Sequence, residues 1–337
     1  MTSIHGIITR GVGGLYGVRT TEDPRTELLC RARGIFRLEH NTPTVGDDVT
    51  VVPTEERPDD ATAEEKQTER RLKKSGAAVD YVIDEIRPRR SLLIRPPLAN
   101  LDYLFAVIPS ASPEPDLLTA DKLTVIAENY GIEPVVIVNK ADLDPDKADE
   151  LERIYTLAGY RVFRVSGQTG DGLDALGRFM AERTKETPQG SHLSAAFAGV
   201  SGAGKSTVMK TLFPNLALAT GSVSRKTERG RHTTRHVELY PLPVGENGGL
   251  IWLADTPGFS VLDFTRFDFF PYDELAGSFR EFSDCIGQCR YTKCTHLREE
   301  GCAVLEKMEK GLISPSRHDS YIRIYEEQRS VPEWKRR

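Results

Sequence analysis

Residues 199–207 combine the residue types and the spacing of a phosphate-binding loop. They read Gly-Val-Ser-Gly-Ala-Gly-Lys-Ser-Thr, between a predicted apolar strand and predicted helical sequence. Glycine lets backbone N–H groups approach phosphate oxygens, and the start of the following helix adds positive potential. Lys205 would reach the β- and γ-phosphates, and the Ser206 hydroxyl would bind Mg²⁺. The predicted binding residues are Gly199, Val200, Ser201, Gly202, Ala203, Gly204, Lys205, Ser206 and Thr207.

A second loop has the residues needed to recognise a guanine base. Asn139, Lys140, Ala141 and Asp142 follow the apolar run 135–138. A carboxylate at Asp142 can accept from both N1–H and the 2-amino group of guanine, whereas adenine offers neither donor. Such a site would prefer GTP over ATP by about 10⁴-fold or more. Asn139 would hold the loop, and the stem of Lys140 would cover the base.

Ser166 and Gly167 follow the next predicted strand. They could donate a backbone N–H to the guanine carbonyl oxygen, although the same residues fit an ordinary turn.

Two further segments contain candidates for Mg²⁺ and γ-phosphate contacts. Asp255 begins the sequence Asp-Thr-Pro-Gly and would hold Mg²⁺ through water, while the Gly258 N–H would meet the γ-phosphate. Either Thr233 or Thr234, in the preceding segment, would complete the Mg²⁺ shell. Phe259 occupies the position where many GTPases have a water-orienting glutamine, which predicts slow intrinsic hydrolysis.

The C-terminal part contains a metal-binding pattern. Cys289, Cys294, His296 and Cys302 offer three thiolates and one imidazole, a donor set typical of a closed tetrahedral zinc site. Cys285 is a fifth candidate and should be the odd one out, although Cys285 with Cys289 could in principle replace another pair. The alternative is a set of buried cysteines without a metal. The role would be structural, because the segment has few large apolar residues and zinc binding can contribute on the order of 10 kcal/mol.

Composition limits the class of protein. The 337 residues are 39% hydrophobic and have a net charge of −5, which excludes a uniformly basic nucleic-acid-binding protein. No run approaches the roughly 20 apolar residues of a membrane helix, and no secretory signal is recognisable. Four of the five cysteines are clustered, which is typical of a metal site in a reducing compartment. We therefore expect a cytoplasmic protein without membrane contact.

The elements that must position these residues fall into three predicted domains. Residues 1–96 contain short β-rich runs separated by glycines, which predict a small barrel. The runs are Ile4–Thr9, Leu15–Arg19, Glu27–Leu38, Asp48–Val52 and Asp80–Ile86. A charged insertion at 54–78 would be a loop or a solvated helix.

Residues 97–277 alternate strands and helices, which predicts a parallel α/β sheet covered on both faces. The predicted strands are 104–108, 135–138, 161–165, 193–198 and 250–254, and the predicted helices are 117–130, 151–157 and 173–181. Residues 278–337 lose this alternation and contain the cysteine segment followed by helical sequence.

The order of the nucleotide motifs is rearranged. Asn139 comes 60 positions before Gly199, whereas in regulatory GTPases the phosphate loop comes first. The order implies a circular permutation, which exposed loops tolerate. The segment from Asp255 to Gly258 then leads almost directly into the cysteine segment. We therefore expect the cysteine segment to respond to the nucleotide state.

Together the permuted loops, the strand-rich N-terminal part and the cysteine cluster resemble the family of ribosome small-subunit-dependent GTPase A (RsgA). The resemblance also includes Arg95-Pro-Pro-Leu-Ala-Asn100 and Gly230-Arg-His-Thr-Thr234. It implies an N-terminal OB-fold barrel, a circularly permuted P-loop GTPase domain and a C-terminal zinc-binding helical domain. It further implies a GTP/GDP cycle with Mg²⁺, one structural Zn²⁺, and late binding to the small ribosomal subunit and its rRNA, which stimulates hydrolysis. The expected state is a monomer.

By resemblance to permuted relatives, His232 would orient the attacking water, although a surface histidine is the alternative. Arginines and aromatic residues of the barrel would suit RNA contacts, with a solvated strand face as the alternative. The arginines are Arg31, Arg33, Arg37, Arg87, Arg89, Arg90 and Arg95, and the aromatic residues include Tyr16, Phe36 and Tyr81.

Two other functions compete with this hypothesis. The first is a P-loop ATPase or small-molecule kinase with an RNA-binding accessory domain, which the loop Asn139–Asp142 opposes. The second is a non-catalytic RNA-binding protein with a relict nucleotide fold, which the intact Lys205, Ser206 and Asp255 oppose.

Overall fold

The computed structural model describes residues 3–39, 41–54, 79–94, 96–187, 192–214, 216, 237–245, 249–255 and 272–330. The chain divides into two compact units. The first contains residues 1–102, 180–196 and 215–257, and the second contains residues 103–179, 197–214 and 258–337. No helix within the described ranges combines the length and apolar character needed to span a bilayer.

A closed five-stranded barrel lies in the first unit, as predicted. Its strands are β1 (Ile4–Val12), β2 (Leu15–Thr20), β3 (Glu27–Ala32), β4 (Asp48–Pro53) and β5 (Tyr81–Ile86). They pair in the order β1-β2-β3-β5-β4 before closing, and β3 with β5 is the parallel pair. The fully buried side chains of Ile8, Val18 and Ile83 belong to the barrel core.

The predicted strand 27–38 is wrong in its second half. The strand ends at Ala32, and α1 (Ile35–Leu38) is a single helical turn. Phe36 is buried while Leu38 is 81% exposed, although the two side chains would share a face in a strand. A short apolar run does not by itself distinguish a strand from a helical turn, which is why the pattern misled.

A short hairpin follows the barrel. It consists of β6 (Leu92–Ile94) and β7 (Pro97–Ala99). The buried side chain of Asn100 accepts from the Arg90 N–H at 2.8 Å and donates to the Gly46 carbonyl at 2.9 Å. The hairpin is thereby fastened to the loop before β4.

The α/β part is a six-stranded sheet with the order β10-β9-β8-β11-β13-β12. Its strands are β8 (Tyr103–Pro109), β9 (Glu133–Asn139), β10 (Arg161–Arg164), β11 (Leu193–Ala198), β12 (Glu238–Val244) and β13 (Gly249–Asp255). β8, β9 and β10 are parallel neighbours, and β11 is parallel to β13.

The edge strand β12 was not predicted from the sequence. It runs antiparallel to β13 and contains Pro241 and Pro243. Proline lacks an N–H and therefore argues against an interior strand, but an edge strand tolerates it.

Within the part of the chain that the structure describes, four helices accompany the sheet: α2 (Leu117–Asn129), α3 (Pro145–Leu157), α4 (Leu173–Glu186) and α5 (Lys205–Leu212). Aspartates cap two of them, since Asp116 accepts from the Thr119 N–H and Asp144 accepts from the Lys147 N–H. These caps fix where α2 and α3 begin after their strands.

The C-terminal part contains two 3₁₀ turns, Leu275–Ser278 and Arg280–Cys285, and two helices, α6 (Ala303–Glu309) and α7 (Pro315–Arg329). Phe279, Phe282 and Tyr321 form an aromatic centre with ring centroids 5.1–5.3 Å apart. Val125 of α2 belongs to the same buried cluster. The C-terminal part therefore shares a core with α2.

A buried ion-pair network lies beside this core. Arg317 of α7 is fully buried and donates to Asp121 of α2 at 2.6 Å and to Glu281 at 2.7 Å. The Tyr155 hydroxyl also donates to Asp121, at 2.9 Å. Burial raises the pKa of Asp121, and the Arg317 charge opposes that rise. No sequence motif marked these residues.

Candidate nucleotide site and metal centre

The phosphate loop connects β11 to α5, as predicted, and glycine is required at two of its turns. Gly204 has φ = +90°, and a Cβ there would lie 2.2 Å from Nδ2 of Asn139. Gly199 has φ = +144°, and a Cβ there would lie 2.3 Å from the Val107 carbonyl oxygen. Any side chain at either position would displace the loop, so these glycines fix its path.

Lys205 lies at the start of α5 with its side chain folded back over the loop. Its Nζ donates to the carbonyl oxygens of Gly199 at 2.8 Å and Val200 at 2.9 Å. Burial lowers the pKa of Lys205. Because the first N–H groups of a helix have no partner within it, the ammonium and the helix start form a positively polarised cradle suited to phosphate.

Asn139 joins three loops of the site. It ends β9 and is 2% exposed. Its Nδ2 donates to the Ala203 carbonyl at 2.8 Å, and its Oδ1 accepts from the Gly167 N–H at 2.9 Å. The predicted base-reading loop, the phosphate loop and the 166–167 turn are therefore held together by one amide.

Asp142 is exposed, and its carboxylate has no hydrogen-bond partner among the described residues. The preceding Lys140 has φ = +65°, and its Nζ donates to the Ser112 carbonyl. The stem of Lys140 thus lies against the loop after β8, and the Asp142 carboxylate remains available for a ligand.

The N–H groups of Ser166 and Gly167 are donated within the chain in this conformation. Gly167 donates to Asn139, and Ser166 donates to the Asp171 carbonyl at 2.9 Å. The Gly167 carbonyl accepts from the Thr211 hydroxyl of α5 at 3.0 Å. The turn is therefore fixed next to the phosphate loop, while its contact with guanine stays a prediction.

Most of the remaining residues predicted to contact the nucleotide lie outside the described part of the chain. Asp255 ends β13, where it is paired with Glu238. His232, Thr233, Thr234 and Gly258 lie outside the described residues, as do Arg95 and the charged insertion from residue 55 to residue 78. Their roles stay predictions.

The four predicted metal ligands converge. One ligand atom from each of Cys289, Cys294, His296 and Cys302 lies within 4.8 Å of the others. The His296 Nδ1 is 3.5 Å from the Cys289 sulfur and 3.4 Å from the Cys302 sulfur. Tetrahedral zinc bonds of ~2.3 Å to sulfur and ~2.0 Å to nitrogen place such atoms about 3.6 Å apart. The cluster is therefore able to hold one metal ion.

The thiols must lose their protons to bind a cation. Burial raises the pKa of Cys294 to about 12 and also raises that of Cys302. A cation is therefore needed to keep these groups as thiolates near neutral pH. Cys285 is buried but outside the cluster, which agrees with its prediction as the odd cysteine.

Supporting contacts around the cluster were not predicted from the sequence. His318 of α7 donates through Nε2 to the His296 carbonyl at 2.8 Å, and the Tyr321 hydroxyl donates to the Thr295 carbonyl at 2.7 Å. Glu299 accepts from the N–H groups of residues 295, 297 and 298. Burial opposes the shift, but the Thr295 hydroxyl, which donates to the same carboxylate, and these N–H groups lower the pKa of Glu299 to about 2. The ligand loop is thus fixed by its own carboxylate and by α7.

Comparisons with known proteins agree with this architecture. The family described as "RsgA GTPase" matches residues 86–265, and "RsgA N-terminal domain" matches residues 5–58. The curated protein "Small ribosomal subunit biogenesis GTPase RsgA" of Ruminiclostridium cellulolyticum is 37% identical over 332 residues, covering 98% of this chain and 95% of the relative. Its counterpart in Caldanaerobacter subterraneus is 36% identical over 328 residues, covering 97% and 96%.

Two solved structures are similar over nearly the whole chain. YjeQ from Thermotoga maritima has a TM-score of 0.73 at 26% identity, covering 98% of this chain and 100% of that one. YloQ, described as a circularly permuted GTPase, has a TM-score of 0.67 at 28% identity, covering 98% and 97%. The predicted family resemblance and the permuted order are confirmed.

Proposed function

The chain belongs to the RsgA family of GTPases, and we propose that it hydrolyses GTP to GDP and phosphate during maturation of the small ribosomal subunit. The observation that supports this most directly is the Asn139 amide, which binds the base-reading loop to the phosphate loop through Ala203. A carboxylate suited to guanine and a lysine suited to phosphate thereby belong to one site. An ATPase or kinase would have no use for Asp142 at this position.

The proposed roles follow from the donors and acceptors available. Asp142 reads the guanine edge, Lys205 stabilises the β- and γ-phosphates, and Ser206 with Asp255 holds Mg²⁺, which neutralises phosphate charge when bound. Thr233 or Thr234 completes the Mg²⁺ shell, and the Gly258 N–H meets the γ-phosphate. Water attacks the γ-phosphorus, and the bond to the β,γ-bridging oxygen breaks to leave GDP.

The proposed metal at Cys289, Cys294, His296 and Cys302 is Zn²⁺, because three thiolates and an imidazole form its usual structural donor set. Four protein ligands leave no open position, so the role is structural and not catalytic.

The proposed partner is the small ribosomal subunit with its rRNA. The curated relatives are named for biogenesis of this subunit. We propose that the chain acts as a monomer in the cytoplasm, with the barrel (domain 1–96), the GTPase domain (97–277) and the zinc domain (278–337) as its functional parts.

The decisive experiment measures GTP turnover by the full chain with and without purified small ribosomal subunits. We expect slow hydrolysis alone and a large stimulation by the subunit. A competition between GDP and ADP for the free protein should favour GDP. Preference for ADP, or GTP turnover that the subunit does not stimulate, would contradict the proposal and favour the ATPase or kinase alternative.

The role of His232 provides a further prediction. His232→Ala should lower subunit-stimulated turnover by about 10²-fold or more while GDP affinity changes little, because a residue that orients water acts on the transition state. Single-turnover hydrolysis and GDP titration measure the two effects. Lys205→Ala serves as the contrasting variant, since it should weaken nucleotide binding itself. Unchanged turnover in His232→Ala would remove the assigned role.

A further inference from the structure

A serine outside the nucleotide motifs holds the base-reading loop. Ser110 follows β8, and only 2% of its surface is exposed. Its N–H donates to the Asn139 carbonyl at 2.8 Å, and its hydroxyl donates to the Lys140 carbonyl at 2.9 Å. One residue thus satisfies two successive carbonyl groups of the base-reading loop.

The peptide group between Lys140 and Ala141 is fixed at both polar ends. Its carbonyl accepts from the Ser110 hydroxyl, and its N–H donates to the Val165 carbonyl at 3.1 Å. Lys140 has φ = +65°, a left-handed conformation that is sterically disfavoured for a residue with a side chain. Hydrogen bonds on both sides of the peptide therefore maintain a conformation that the backbone does not prefer by itself.

The same carbonyl takes part in a turn that contains Asp142. The Lys140 oxygen also accepts from the Leu143 N–H at 2.9 Å, which closes a four-residue turn with Asp142 inside it. A carbonyl oxygen has two lone pairs, so both donors can be accommodated. The turn therefore fixes the backbone at Asp142, whose side chain is exposed.

We propose that Ser110 is a positioning residue for base recognition, which holds the Lys140 carbonyl so that the Asp142 carboxylate faces the 2-amino edge of guanine. The inference rests on the proposed function, since it concerns the base that this site would bind. It adds a specificity-determining residue from the loop after β8, which contains none of the recognised motifs.

The test compares the dissociation constants of GDP and inosine diphosphate for the full chain. Inosine lacks the 2-amino group and therefore makes one hydrogen bond fewer to the Asp142 carboxylate. The affinity for inosine diphosphate should thus depend less on the position of that carboxylate. Ser110→Ala removes the hydrogen bond to the Lys140 carbonyl. It should lower the preference for GDP over inosine diphosphate by about tenfold, because the 2-amino group then loses its hydrogen bond to the charged Asp142 carboxylate. Ser110→Thr retains the hydroxyl and should retain most of the preference.

Ser91→Ala is the matched control. The Ser91 hydroxyl is buried and donates to the Leu101 carbonyl at 2.9 Å, so the variant loses the same kind of bond in the other unit. We expect it to leave the preference unchanged. If Ser110→Ala does not yield folded protein, Ser110→Cys keeps a similar volume with a weaker donor and should give an intermediate preference.

An equal loss of affinity for both nucleotides in Ser110→Ala would overturn the positioning role and leave Ser110 as a purely structural residue. A parent chain that does not prefer GDP over ADP would instead refute the proposed function. The two failures are therefore distinguishable.

Discussion

In the proposed site, Asp142 is the residue that would determine which base is accepted. Asp142 is exposed and has no partner among the described residues, whereas Asn139 beside it is buried and fully engaged. In this motif the Asn139 amide holds the loops together, whereas the Asp142 carboxylate is left for the ligand. Substitution of Asp142 should therefore change the nucleotide specificity more than the fold.

We predict that Asp142→Asn weakens GDP binding by about 10²-fold or more and improves the binding of xanthosine diphosphate. An amide can donate to the carbonyl that xanthine carries in place of the 2-amino group, whereas a carboxylate can only accept. Fluorescence titration with both nucleotides measures the exchange. Asp146→Asn, an exposed acid in the first turn of α3, is the control and should bind GDP as the parent does. Equal weakening for both nucleotides would contradict the assignment of Asp142 to the base.

Among the secondary-structure elements, α7 makes contacts of two kinds. Arg317 reaches Asp121 of α2, and the next residue, His318, supports the metal-ligand loop through the His296 carbonyl. Tyr321, one turn later, packs in the aromatic core and donates to Thr295. A displacement of α7 would therefore disturb contacts with both the metal-ligand loop and α2.

We predict that Arg317→Met lowers the free energy of unfolding by about 3–5 kcal/mol, because it leaves Asp121 and Glu281 buried without a countercharge. Urea denaturation measures the loss. Adding Asp121→Asn and Glu281→Gln to the same chain should recover a large part of the stability, since the unpaired charges are then removed. A change below about 1 kcal/mol in the single variant would mean that the carboxylates find other partners.

For the molecule as a whole, the metal cluster adds to the stability of the C-terminal core against which it packs. The core around Phe279, Phe282 and Tyr321 includes Val125 of α2 and is made of ordinary apolar contacts. Cys302 lies in this core, and Cys289, Cys294 and Leu297 pack against it. The backbone between these residues is held by the ligands and by Glu299. Loss of the metal should therefore loosen the loop without unfolding the unit.

We predict that chelation increases proteolysis between Gly287 and Gly301 while GDP affinity stays within about threefold of the parent. Limited proteolysis with mass spectrometry and nucleotide titration measure both effects. Cys294→Ala should abolish the bound metal, and Cys285→Ala, which alters a buried cysteine outside the cluster, should retain one ion per chain. Loss of GDP binding on chelation would show instead that the cluster and the nucleotide site unfold together.

The sequence by itself determined the elements whose chemistry lies in short contiguous segments. Three such segments could be predicted from the sequence: the phosphate loop from Gly199, the base-reading loop from Asn139 and the metal-ligand segment. Each proposed function needs particular residue types a few positions apart. Alternation of apolar residues likewise predicted the barrel and the parallel strands. The order of the motifs was enough to predict the permutation.

Only the tertiary structure decided which distant residues support these segments. Ser110, the Asn139 bridge to Ala203, and the pairing of Arg317 with Asp121, 196 positions away, depend on how strands and helices pack. The edge strand β12 became visible only from its place in the sheet, which makes its prolines tolerable. Such contacts leave no local pattern, because hydrogen bonding and burial act on neighbours in space, and the chain brings those neighbours together only when it folds.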